Sequence, residues 1–365
     1  MQCDLVISIK MNRIEIKGYK SIKELDLELA PLNILIGSNG SGKSNFLSFF
    51  TLLENIYRKN LGGYVALNGG VDKFLHKGTK ITQSIACHLE FERNGYSFKL
   101  GNNQGQFVFE EEGLWYEGNP YYDNPIDISN FNSESNLYFN TLPRAKYIQE
   151  YLFEVKKYHF HDTGKSAPFH KESNITSDYY SLYSDGSNLA ALLFKIKELK
   201  PIVYNRILKT IESIAPYFLD FQLIPNESGN IRLLWKNKHS EQTFSSYDLS
   251  DGTLRFIALA TLFLQPKLPE TLIIDEPELG LHPFAIAKLA GLAKSASQKG
   301  CQVIMATQSV ELINHFNAED IIAVDNRNGE SVFQRLSGEK LSIWLDDYTI
   351  GEMWKQNIIN AGQPF

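Results

Sequence analysis

Cysteine is nearly absent. Cys3, Cys87 and Cys301 are the only three in 365 residues, and they lie far apart. They form no CxxC pair and no even-numbered framework, which argues against a disulfide-stapled secreted fold. Long apolar runs are also missing: the longest, Phe256–Leu264, is far too short to span a bilayer. Residues 1–10 carry Leu5, Val6, Ile7 and Ile9 but no basic start and no small-residue cleavage site. A cytoplasmic location with no membrane association is therefore expected. Positive charge is not in excess: 36 Lys+Arg stand against 42 Asp+Glu, for a net charge of −6. That rules out a generally basic nucleic-acid coat and leaves only a local basic face open. Internal repeats, low-complexity tracts and sustained heptads are absent as well, so no long coiled-coil arm is expected.

What is present is 43% hydrophobic and 21% charged residues, enough for a sizeable core in one large domain or two ordinary ones. Asn12–Lys17 alternates as an antiparallel strand. Asn33–Ile36 reads as a buried strand entering a Gly-rich turn, with a helix over Ser44–Arg58 after it. Ser84–Leu100 alternates around Asn94-Gly95, a hairpin signal, and Gln106–Glu117 continues as strand. Residues 118–145, rich in Asn, Tyr and Pro, read as an irregular insertion. Asn188–Leu199, Pro201–Ala215 and Asp251–Leu264 read as helices. Leu219–Pro225 and Asn230–Lys236 bracket Ser228-Gly229 as a hairpin. Leu272–Ile274 and Gln302–Ala306 look like buried parallel strands. Asp320–Val324 and Ser331–Leu336 form a last hairpin around Asn328-Gly329. The expected class is α/β, a parallel-sheet core with antiparallel and helical insertions.

Residues 37–44 read Gly37-Ser38-Asn39-Gly40-Ser41-Gly42-Lys43-Ser44, which satisfies GxxxxGK[ST], with Asn45 following. At average glycine usage its four fixed positions recur by chance in roughly one chain in a hundred of this length. The chemistry needs these types. Glycines let several backbone N–H groups converge on one concavity, and the helix that starts there adds its positive end. Lys43 brings a charge to the β- and γ-phosphates of ATP, and the Ser44 hydroxyl can ligate Mg²⁺. Residues 271–283 deliver two adjacent carboxylates to the end of a buried strand, where ligands gather in parallel sheets. Asp275 can hold the Mg²⁺ shell, and Glu276 can orient and deprotonate an attacking water. Ser250 is a good helix N-cap, and Gly252 lets a ligand approach the backbone.

Leu249-Ser250-Asp251-Gly252, opening a helix shortly before Asp275-Glu276-Pro277, resembles the signature motif of ABC-type ATPases. Asp251 stands where Gly is more usual. In that family the signature Ser and Gly contact the γ-phosphate held by the other subunit. The resemblance thus implies a homodimer closing head to tail on two Mg·ATP, with Ser250 and Gly252 completing the partner's site. The finer likeness is to the RecF/SMC/OLD-like branch, in its compact stand-alone bacterial form without coiled coil. Gly18–Ile22, His159–Thr163, Leu249–Phe256, Asp275–Pro283 and Ala306–Ser309 look like its motifs. Gly280, Leu281 and His282 fall in a loop that crosses the dimer interface in such proteins. Gln308 sits where many transporter-type ATPases place a His on the γ-phosphate. A Gln can hydrogen-bond a phosphate or water but cannot carry positive charge. A helix cap is its alternative role.

The implied organisation is one ABC-type P-loop NTPase head over 12–345, a mixed sheet core with an antiparallel β subdomain and an inserted helical lobe. It comprises a core part 12–165, an inserted helical and β lobe 166–245, a core part 246–345, and a tail 346–365. OLD-type relatives carry a Toprim module, and Asp346-Asp347 does not supply its acidic constellation. Two functions follow from the resemblance: ATP-dependent DNA repair or maintenance of the RecF kind, or a sensor gating a separately encoded effector, such as a Toprim-like nuclease, in anti-phage defence or a toxin-like system. The candidate partners are therefore DNA and that effector. Lys195, Lys197, Lys200, Arg206 and Lys209 give helices 188–215 a basic face, suited either to solvent or to DNA phosphates. Lys20 and Tyr19 are read either as facing the nucleotide base or sugar, or as an exposed turn. The HxHD run at His159, His161 and Asp162, with His170 nearby, raises a metal site. No Cys or further acidic ligand accompanies it, and the resemblance implies instead a loop near the nucleotide.

Overall fold

The computed structural model describes residues 10–116, 125–345 and 347–359. Of the sequence expectations, residues 1–9, Glu117, 118–124 of the insertion, and 346 and 360–365 of the tail lie outside the described residues.

Strict polar–apolar alternation builds the first sheet. Its antiparallel strands run in the order Ile22–Glu28, Arg13–Tyr19, Ser84–Phe91, Asn94–Asn103, Gln106–Tyr116, Ile126–Asp127. Ser84–Phe91 buries every second residue, as period 2 dictates for a sheet with one covered face. The second sheet runs Glu330–Arg335, Ile321–Arg327, Leu32–Ile36, Gln302–Thr307, Thr271–Asp275, Val155–Tyr158. All its pairs are parallel except the edge hairpin. Its central strands are covered on both sides, so Leu32–Ile36 and Gln302–Thr307 are buried throughout. Leu35, Ile273 and Ile304 face the helix Lys43–Tyr57, which is sandwiched between the two sheets through Phe46, Phe49 and Leu53. Ile34, Ile274 and Met305 face the other way, onto the helices Asp251–Leu264, Pro283–Gln298, Leu189–Leu199 and Pro201–Ile214. One helix thus joins two layers, and its N-terminus emerges at the carboxyl ends of the parallel strands.

Most expected elements are found, and several corrections have physical causes. The first hairpin turns at Glu92-Arg93, not Asn94-Gly95, with Glu92 at φ +54°. Gly95 lies inside the strand opposite Glu90, where an added Cβ would sit 3.0 Å from Trp115 Cβ. Close packing, not turn geometry, requires that glycine. Asn230–Ile231 does not return on Phe218–Phe221 but pairs with Ser173–Asn174, and Leu234–Asn237 takes the place beside Phe218–Phe221. The insertion ends earlier than expected, in the helix Pro143–Glu154, which leads into the edge strand Val155–Tyr158. The helix Pro283–Gln298 was also not anticipated. Between 347 and 359, Ile350–Lys355 forms a helix whose Met353 is fully buried and whose Gly351 N–H donates to Asn314 Oδ1 at 2.9 Å. Among the described residues no helix is long and apolar enough to cross a membrane.

Candidate functional site

The strand Leu32–Ile36 ends in residues 37–42, and the helix Lys43–Tyr57 begins at once. The loop is braced from behind. The Ser331 hydroxyl donates to the Ser41 carbonyl at 2.7 Å and lies 2.7 Å from the Ser21 hydroxyl, to which Asn45 Nδ2 donates at 2.7 Å. The front is open: Gly40, at φ +79°, has nothing within 4 Å of where a Cβ would stand. The buried Ser41 hydroxyl has no hydrogen-bond partner. Lys43 donates to the carbonyls of Gly37 at 2.6 Å and Ser38 at 3.1 Å. Burial lowers its pKa, and the fields of Glu276, Asp275 and Glu278 act against that. The lysine and the carboxylates, more than 230 positions apart in the chain, thus share one electrostatic neighbourhood. Ser38 on the loop is half-buried, and Asn39 on the loop and Ser44 in the first turn of the helix are exposed.

Thr271–Asp275 lies between Val155–Tyr158 and Gln302–Thr307, and its carboxyl end brings up Asp275. The Asp275 carbonyl accepts from His161 Nε2 at 2.8 Å. Glu276 adopts a left-handed backbone, φ +41°, and its N–H donates to the Ala306 carbonyl at 2.8 Å. Its carboxylate accepts from the Gln308 side-chain amide at 2.5 Å. Gln308 therefore reaches the acidic pair, and the adjacent Ser309 is the residue that caps the next helix. Lys157 and His159 both have lowered pKa values, burial being the main cause and Asp275 opposing it in each. The His159 and His161 rings are 4.3 Å apart. Among the described residues no three His, Cys, Asp or Glu side chains are arranged to hold a metal, so the HxHD run builds no such cluster. For Mg²⁺ the fitting donors are hard oxygens, the Ser44 hydroxyl and the Asp275 carboxylate. The open glycine cradle and the partnerless Ser41 hydroxyl suit a phosphate chain.

Ser250 caps the helix Asp251–Leu264, its Oγ accepting from Thr253 N–H at 3.3 Å. A Cβ on Gly252 would collide with the carbonyl oxygen of Gly280. The chain's own loop therefore packs directly against this glycine. Ser250 and Gly252 line a shallow pocket of about 150 Å³ with Gly280, Leu281, His282 and Phe284, and no phosphate-loop residue borders it. His282 caps the helix that follows, its Nδ1 accepting from Phe284 N–H at 3.3 Å. Arg255, one turn into the signature helix, donates to the carbonyls of Phe160 (3.1 Å), His161 (2.6 Å) and Leu279 (2.7 Å).

Tyr19 is neither an exposed turn residue nor a nucleotide contact: it is fully buried, and its hydroxyl lies 2.8 Å from Ser48 Oγ. Lys20 donates to the same Ser48 at 2.9 Å. Of the basic face, Lys195 pairs with Glu198 and Lys197 with Asp220. Arg206 and Lys209 line a groove of about 660 Å³ with Lys288. Residues that sequence reasoning missed are Arg255, Thr307 and Glu278. Glu278 had a signal, since it stands two places after Glu276.

A doubly covered parallel sheet, a phosphate loop at its carboxyl edge and a flanking antiparallel sheet make up the fold of ABC- and SMC-type heads. An SMC head bound to the C-winged helix domain of ScpA aligns with a TM-score of 0.62 at 16% identity, covering 91% of this chain and 99% of that one. An SMC head with an extended coiled coil, bound to the C-terminal domain of ScpA derived from Pyrococcus furiosus, aligns with a TM-score of 0.58 at 15% identity, covering 93% and 99%. Residues 32–314 match the family described as "AAA domain, putative AbiEii toxin, Type IV TA system", and the chain belongs to that family. It is similar to the Old nuclease of Escherichia phage P2, 24% identical over 92% of this chain, and to the OLD nuclease of Thermus scotoductus, 22% identical over 86%. The match spans 62% of the length of each of these relatives. EcfA2 of Lactobacillus delbrueckii, an energy-coupling factor transporter ATP-binding protein, is 28% identical over 44% of this chain and 55% of its own length.

Proposed function

We propose that this chain is an ATP-hydrolysing switch that gates an effector of the nuclease class in a toxin-type or anti-phage system. The description of the matched family and the names of the two nuclease relatives support this reading over DNA repair, the other expectation drawn from the sequence. The observation that carries the ATPase assignment is the neighbourhood of Lys43 with Asp275, Glu276 and Glu278 beside an open glycine cradle.

In this reading the loop N–H groups and Lys43 bind the β- and γ-phosphates of ATP, with Gly37, Ser38, Asn39, Gly40, Ser41, Gly42 and Asn45 shaping the cradle. Ser44 and Asp275 would hold Mg²⁺, which when bound neutralises phosphate charge. Glu276 positions the attacking water and takes its proton. Gln308 donates to the Glu276 carboxylate and, in this reading, senses the terminal phosphate. Ser250 and Gly252 sit on a separate exposed pocket, so they act on the nucleotide of a second copy in a head-to-tail homodimer. Closure works as a switch because ATP binds the closed dimer more tightly than the open form.

Glu276→Gln removes the base and keeps the side chain's shape. Expected are a ~10²–10⁴-fold loss of turnover, retained ATP binding and accumulated dimers. A variant that stays monomeric with saturating Mg·ATP on size exclusion would rule out the sandwich. The pathway is tested separately: effector gating predicts an ATP-dependent complex with the nuclease-class partner and no stimulation by duplex DNA, whereas strong DNA stimulation without such a complex would return the reading to repair.

A further inference from the structure

The loop after the acidic pair carries a third carboxylate that is not a solvated turn residue. Glu278 is mostly shielded from water. Its Oε1 accepts from the Thr307 hydroxyl at 2.5 Å and from the Gln308 backbone N–H at 3.3 Å. Its Oε2 is buried without a hydrogen-bond partner. Thr307 is fully buried at the end of its strand, and its hydroxyl also accepts from Ser309 N–H at 2.9 Å. The next side chain, Gln308, donates to Glu276. Two neighbouring strand ends are therefore tied twice: by backbone, Glu276 N–H to Ala306, and by side chain, Glu278 to the Thr307–Gln308 corner.

The double tie matters because of Glu276. Its left-handed backbone is sparsely populated for a residue with a Cβ and persists only where neighbours impose it. Its carboxylate has one amide holding it, and that amide is only as well placed as the Gln308 backbone. A burial-raised Glu278 carboxyl is a costly way to fill a loop. A carboxylate oxygen can, however, accept two converging donors, which an apolar residue cannot do.

We propose that Glu278 is a positioning residue: by anchoring the Thr307–Gln308 corner it holds the Gln308 amide on Glu276 and so sets the aim of the general base. This rests on the ATPase reading above. Glu278 touches neither nucleotide nor water in this role; it acts through Gln308.

The test uses the full chain, with steady-state Mg·ATP turnover and the thermal midpoint measured for each variant. Glu278→Ala is expected to lower kcat by roughly 10–100-fold, the scale of a 1 Å misplacement, with KM within about twofold of wild type. Glu278→Gln keeps an acceptor oxygen and should recover most of that loss. In a Gln308→Ala background, Glu278→Ala should cost nothing further, because the group it positions is gone. Thr307→Val removes the donor without touching an acid, and should behave as Glu278→Ala does in both backgrounds. This second route stands even if the alanine variant fails to fold. Losses that multiply in the double variants, or a rise in KM matching the fall in kcat, overturn the proposal while leaving the ATPase reading intact. A wild-type chain with no turnover, or turnover unchanged in Lys43→Ala, overturns both.

Discussion

Gly252→Ala is a sharp test of how the signature helix and the acidic loop are joined. The added Cβ would stand closer than 3.0 Å to the Gly280 carbonyl oxygen and 3.3 Å from its carbon, with Leu281 Cα at 3.9 Å. All three are backbone atoms, so no side chain can rotate aside. Ordinary carbon contacts lie near 3.5–4.0 Å, which requires the loop or the helix tip to retreat by roughly 1 Å. The helix cannot yield easily: ten of its residues from Leu254 to Leu264 are buried, and Arg255 pins it to Phe160, His161 and Leu279. The loop must move, and it carries Glu276 and Glu278. Overpacking of this sort costs ~1–3 kcal/mol of stability. A displacement of that size near the base costs up to ~10²-fold in turnover. Urea denaturation gives the first number and steady-state Mg·ATP hydrolysis the second. An alanine variant with wild-type stability and wild-type kcat would show that the two elements are not in rigid contact, and the argument for their coupling would fail.

Gly291 provides the opposite case. It lies exposed within Pro283–Gln298, where it lines the groove shared with Arg206, Lys209 and Lys288, and an added Cβ meets nothing within 4 Å, so Gly291→Ala should raise stability by ~0.5–1 kcal/mol in urea titrations; a loss would mean that this groove is tighter than the geometry indicates. Glu112 is buried in the antiparallel sheet, accepting from Ser135, from Tyr96 at 2.7 Å and from Asn136 N–H at 2.9 Å, and burial still holds its pKa above the ordinary 4.5. A raised acid retains its proton longer when folded, so its contribution is full below 4.5 and is lost as pH rises through the folded value. Glu112→Gln removes that titration, and the variant should gain on wild type between pH 4 and 7 in urea midpoints; a pH-independent gap would contradict the assignment.

The phosphate loop, the acidic pair and the strands beneath them were legible because their signals are local. A short apolar run, Ile34–Ile36, entering Gly37–Ser44 can be read without knowing what lies beside it. The edge strand Val155–Tyr158 could not be read, because its two lysines mask the apolar pattern. Their charges are half-buried, and burial lowers both pKa values. Asn94-Gly95 misled for a related reason: the glycine answers to Trp115 across the sheet, not to the turn beside it. Glu278 is the clearest case. In sequence it is one more acid after Asp-Glu-Pro, a pattern that equally suits a solvated turn. Its meaning comes from Thr307, at the end of a strand and 29 residues later in the chain. The parallel register sets Asp275 opposite Ala306, and this brings the next two residues of each strand end, Glu276 and Pro277, Thr307 and Gln308, to one edge. Shifting that register by a single residue would turn the Thr307 hydroxyl to the opposite face and take that donor from Glu278. The site's chemistry therefore depends on how two strands pair, information that neither strand carries alone.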